Sequence, residues 1–149
     1  MAGRLEARII KRIEEKFIDK FDIKTTRVRN ETGLPEKCYK VDLDDPFYFS
    51  DIIFRDKKTE KITHIIEIET DPVRKSLVGA AITADYCIGI DQPKDKVNLF
   101  FVIGKKGSRQ IKDFKRRVPI IEKYIRYINK PVLIDTEEEI FCALSGVTT

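Results

Sequence analysis

Leu5, Ile9, Ile13, Phe17 and Phe21 recur every four residues, with Ile10 and Ile18 beside them. An apolar stripe near 3.6 residues per turn predicts an amphipathic helix over residues 3–20. Thr32-Gly33-Leu34-Pro35 marks a turn. Alternation then predicts a first strand over 38–43, and aromatic and β-branched residues a second over 47–54. An Ile-rich third strand over 62–69 follows a polar loop, so the second and third should pair as an antiparallel hairpin. Asp71 fits an N-cap and Pro72 a first helical position, opening a helix that runs to about residue 86. The apolar run 97–103 reads as a central strand. Ser108 caps a third helix carrying Ile111, Phe114, Val118, Ile121, Ile125 and Ile128, with a kink or break expected at Pro119. Residues 132–134 give a short last strand, and Thr136 with Glu139 opens a final helix as a capping box.

The order α-β-β-β-α-β-α-β-α is that of an α/β domain with a mixed sheet flanked by helices. At 149 residues a single domain over 1–149 is expected, large enough for one core. No apolar run approaches the roughly 20 residues of a bilayer span, and the first thirty residues lack the apolar stretch of a signal peptide. Three widely spaced cysteines, Cys38, Cys87 and Cys142, give neither a disulfide framework nor a zinc site. They are read as buried or neutral thiols in a reducing cytoplasm.

Charge changes the picture through its distribution. The net charge is only +4, but residues 104–130 hold ten Lys or Arg against two Asp or Glu, and residues 31–103 hold ten against fourteen. A basic segment suggests a polyanion partner and a carboxylate cluster a divalent cation, although a basic run is also what a solvated helix face looks like.

Strands alternate their side chains with period two. Asp51 therefore shares a face with Phe49 and Ile53, and Glu67 and Glu69 share one with Thr63 and Ile65. Carboxylates among apolar strand residues cost several kcal/mol in desolvation unless compensated, and neighbouring ones repel. A divalent cation resolves both problems, since Mg²⁺ takes one or two carboxylates with waters and substrate oxygens. Solvated strand ends, with Glu67 and Glu69 paired to Lys40 or Lys75, are the alternative. His64, an odd number of residues from both glutamates, falls on the other face and reads as a core or partly exposed histidine. Tyr39, Tyr48 and Tyr86 read as packing residues before base-stacking ones.

Phe49-Ser50-Asp51-Ile52-Ile53-Phe54, a short hairpin, and Ile65-Ile66-Glu67-Ile68-Glu69 resemble the PD-(D/E)xK nuclease superfamily, the restriction-endonuclease-like fold. Its α-β-β-β-α-β core corresponds in order to residues 3–103, about two thirds of the chain, leaving an extra C-terminal α-β-α. The resemblance implies that Asp51 and Glu67 are metal-binding acids and that the backbone carbonyl of Ile68 is a further ligand. Glu69 stands where the family usually has lysine. Lys75, in the following helix, is then the migrated lysine. Glu6 and Glu14 are the candidates for a helix-one acid. The implied chemistry is Mg²⁺- or Mn²⁺-assisted phosphodiester hydrolysis, with Glu69 as ligand or base and Lys75 stabilising charge.

Lys105, Lys106, Arg109, Lys112, Lys115, Arg116 and Arg117 would contact nucleic-acid phosphates, DNA being the expected substrate. Gly104-Lys105-Lys106-Gly107-Ser108 is not a Walker loop, which argues against an ATPase. The expectation is a cytoplasmic, metal-dependent endonuclease, structure-specific or repair-related and of Holliday-junction-resolvase-like size. A homodimer would give each DNA strand its own site. The alternative is a catalytically inactive nucleic-acid-binding or assembly module, favoured by the absence of the motif lysine.

Overall fold

The computed structural model describes residues 3–25, 51–68, 77–90, 92–102, 109–134 and 137–147. Nine elements lie among them: α1 (Gly3–Phe17), β1 (Phe21–Thr25), β2 (Ile52–Asp56), β3 (Ile62–Ile68), α2 (Leu77–Gly89), β4 (Asn98–Val102), α3 (Arg109–Glu122), β5 (Val132–Ile134) and α4 (Glu137–Val147). The five strands form one mixed sheet in the order β1-β2-β3-β4-β5. β1, β2 and β3 pair antiparallel, whereas β3, β4 and β5 pair parallel. The chain is thus α/β, a five-stranded mixed sheet with helices on both faces.

The helices divide because the connections do. β3-α2-β4 and β4-α3-β5 are crossovers stepping the same way along the sheet, so both helices fall on one face. There Ile53, Ile65, Leu99 and Phe101 pack under Leu77, Ala81, Ala84, Phe114 and Val118. On the other face Ile52, Phe54, Ile66 and Phe100 meet Ile9, Ile13 and Phe17 of α1 and Ile140 and Leu144 of α4.

Several expected elements shift. Helix one stops at Phe17 instead of residue 20. Ile18 is left exposed, and Phe21 opens β1, its ring stacked on Phe54 with centroids 5.0 Å apart. The alternation Phe21-Asp22-Ile23-Lys24-Thr25 carries that strand, but Phe21 also sits in phase with the helical stripe. Pairing with β2 decides between the two periods. The expected strand at 38–43 lies outside the described residues. The second strand begins at Ile52 and extends through Arg55 and Asp56, whose polarity alone predicts a loop. α3 passes through Pro119 as one helix and ends at Glu122. The apolar stripe continues beyond it, but Ile128 instead bridges to Val97 beside β4. Cys87 is buried, whereas Cys142 is exposed.

Two local devices set the geometry. At the β2–β3 turn, Asp56 Oδ1 accepts the backbone N–H groups of Lys58 (2.8 Å) and Thr59 (2.9 Å), which hold its carboxyl below the usual range. Glu60 takes a left-handed φ of 61°, and the register shifts between Phe54 and Arg55. At the end of α2, a Cβ on Gly89 would lie 2.5 Å from the Cδ2 and Cε2 atoms of Tyr127. Gly89→Ala should therefore destabilise the fold by about 1–2 kcal/mol, overpacking outweighing the better helix propensity of alanine. Urea unfolding would measure it, and Tyr127→Ala should remove the penalty.

Candidate active site

The hairpin register decides where Asp51 and Glu67 stand. Ile52 pairs with Ile66 and Ile53 with Ile65. Continuing that register puts Asp51 opposite Glu67, where facing Cβ atoms lie about 5 Å apart. Asp51 Oδ2 accepts the backbone N–H of Ile68 at 2.7 Å, extending the ladder by a side chain. Alternation from Ile53 and Ile65 puts both acids on the α2/α3 face. Asp51 is half-buried, and Glu67 is only 2% exposed. It sits between Asp51 and Phe101, its partner on β4.

A carboxylate buried this deeply requires compensation. The acid pair lies at the carboxyl ends of β3 and β4. α2 and α3 return the chain from those ends, so their N-termini lie at the same end. Open α/β sheets bind ligands there, and the positive ends of helix dipoles favour negative charge. Two adjacent carboxylates suit Mg²⁺, which completes its shell with water and substrate oxygens. Among the described residues, no group of three His, Cys, Asp or Glu is placed to hold a metal ion. The other expected members, Glu69 and Lys75, lie outside the described residues. Ile68 is buried beside the pair, and it is its N–H that Asp51 engages. Glu14 belongs to α1, whose apolar stripe packs across the opposite face. The side chain of Glu6 is not among those described.

Lys112, Arg116 and Arg117 are exposed on α3, as is Lys115. Arg116 and Arg117 both bind Asp113, at 2.6 and 3.3 Å. Such exposed pairs contribute at most about 1 kcal/mol, so a phosphate can displace them. Arg109 opens α3, but its side chain is not described; Lys105 and Lys106 lie outside the described residues.

No family model, curated protein or solved structure matches the chain.

Three features escaped the sequence reading. A cleft of about 940 Å³ opens at the other end of the sheet, lined by Lys20, Arg55, Lys61, His64, Lys94 and Asn98 among others. It contains neither Asp51 nor Glu67. Tyr86 is 66% exposed, not packed. Asp85, the one acid in an otherwise uncharged helix, accepts the backbone N–H groups of Arg126 (2.9 Å), Tyr127 (2.7 Å) and Ile128 (3.1 Å) through Oδ1. Its isolation among apolar residues was the available signal, but nothing local names the segment 41–43 residues away that it holds.

Proposed function

We propose that the chain is a metal-dependent endonuclease of the PD-(D/E)xK type that hydrolyses phosphodiester bonds in DNA. The observation that carries this reading is the pairing of buried Glu67 with Asp51, tied to Ile68 N–H, at the carboxyl end of β3. Asp51 and Glu67 would hold Mg²⁺ or Mn²⁺. The ion would supply a water nucleophile at neutral pH and neutralise charge at the phosphate. The exposed bases of α3 bind and orient the nucleic-acid backbone, giving affinity that falls with salt. From the family resemblance, Glu69 acts as ligand or base and Lys75 stabilises developing charge. The protein works in the cytoplasm as a homodimer; no described helix is long and apolar enough to cross a membrane.

The test is cleavage of branched, nicked and single-stranded DNA with Mg²⁺ or Mn²⁺, beside Asp51→Ala and Glu67→Gln. Both variants should lose at least about a hundredfold in rate, since even groups supporting metal ligands cost 10–100-fold. Chelation should abolish cleavage. Activity that survives both substitutions rejects the site. Salt-dependent binding without cleavage in either metal favours the inactive binding module, the reading that glutamate at position 69 supports.

A further inference from the structure

We propose that the outward face of α2 is a homodimer interface. Its central ridge is Ile82, Tyr86 and Ile90, exposed by 44%, 66% and 52%. Ile82 and Tyr86 step by four and share one side of the helix, and Ile90 follows four further on, just past its end. The inner side is equally apolar: Leu77, Ala80, Ala81, Ala84 and Ile88 are buried against the sheet. A helix apolar all round is normally covered on every side.

Charge singles out this face and favours a second copy. Charged residues make up 36% of the chain, yet residues 77–90 include only Asp85. Asp85 is buried and bonded to the backbone at 126–128. The outward sides of the other described helices differ: α1 exposes Arg8, Lys11, Arg12, Glu15 and Lys16, and α3 exposes Lys112, Lys115, Arg116 and Arg117. In a twofold contact, residues near the axis meet their own copies, so any charge there meets its like. A chain of net charge +4 can approach itself through a face that brings no charge with it.

The shape is self-complementary as well. A ridge of residues four apart fits between the same ridges of another helix, the commonest packing mode. Beside the ridge runs a low row, Gly79 and Thr83, that can receive it. The Thr83 hydroxyl donates to Gly79 O at 2.7 Å, so it requires no partner from the second copy. The interface does not rest on the nuclease reading.

Sedimentation equilibrium of the full chain tests the proposal. Wild type should have the mass of two chains at micromolar concentration. Ile82→Asp and Tyr86→Asp should each shift the equilibrium toward monomer by at least about a hundredfold, while leaving the thermal transition of the monomer nearly unchanged, as expected of exposed positions. Mixing Tyr86→Asp with Tyr86→Lys should restore a mixed dimer, because position 86 lies midway along the ridge and would face its own copy. A wild type that stays monomeric up to about 100 μM overturns the proposal and leaves the face to a different protein. A dimer unaffected by either aspartate overturns it by placing the interface elsewhere.

Discussion

Asp85→Ala should cost about 3–5 kcal/mol of folding stability. One carboxylate oxygen accepts three consecutive backbone N–H groups, at Arg126, Tyr127 and Ile128. Asp85 is 8% exposed, so water cannot readily replace it. Hydrogen bonds to a charged group contribute about 1.5–3 kcal/mol each, and a buried donor left unsatisfied loses its hydration with nothing in return. The three bonds share one atom and do not add fully. They also fix the turn that carries the chain from α3 to β5 and brings Ile128 against Val97. At this chain length about 4 kcal/mol corresponds to a fall of roughly 10 °C in the midpoint. Asp85→Asn keeps an oxygen but loses the charge and should cost about half as much. Urea unfolding of the two variants measures both. Wild-type stability in Asp85→Ala would mean that this turn is held by other contacts.

Acid should destabilise the protein through His64 before most carboxylates protonate. His64 is 4% exposed, with Phe21, Phe54 and Phe100 at centroid distances of 5.3, 5.6 and 6.0 Å. The Thr63 hydroxyl lies 3.3 Å from Phe54 O and 2.7 Å from His64 Nδ1, with which it shares a hydrogen bond, and Nε2 is buried without a hydrogen-bond partner. Burial lowers the imidazole from 6.5 to about 4. Between those values the unfolded chain takes up a proton that the folded chain refuses. Stability is therefore complete above pH 6.5 and is lost as pH falls toward 4. The full window corresponds to about 3 kcal/mol, of which about 2 should be gone at pH 5. His64→Phe keeps an aromatic ring and removes the titration, so its stability should change little between pH 7 and 5. A wild type equally stable at both pH values would show that the folded protein accommodates the charge.

The periodicity of the sequence carried much of the architecture. The β2–β3 hairpin, the parallel β4 and the short β5 follow from alternation and apolar runs. What it could not resolve were conflicts settled by tertiary pairing. Phe21 fits both a helical and a strand period, and only the neighbour Phe54 breaks the tie. Ile125 and Ile128 continue the stripe of α3, but Asp85 captures the backbone of residues 126–128. The acid pair was legible because a period of two fixes faces: Asp51 aligns with Ile53 and Glu67 with Ile65, and both isoleucines lie in one cluster. The bond from Ile68 N–H to Asp51 was not, because it depends on where β2 begins. Local sequence also could not show that Arg116 and Arg117 share Asp113, or that Ile82 and Tyr86 of α2 are exposed.

The hairpin gives the acid pair an unusual dependence on a distant turn. Asp51 and Ile68 are 17 residues apart along the chain, and every residue between them belongs to β2, β3 or their connection. Sliding one strand by a single position would send Glu67 through the sheet to the side of α1 and α4. The Asp56 turn and the irregularity at Phe54 and Arg55 thus act as a spacer, counting residues at one end so that two carboxylates coincide at the other. Loop insertions at residues 57–61 are easily tolerated by the surface, but any insertion that resets this count would dismantle the acid pair without touching either acid.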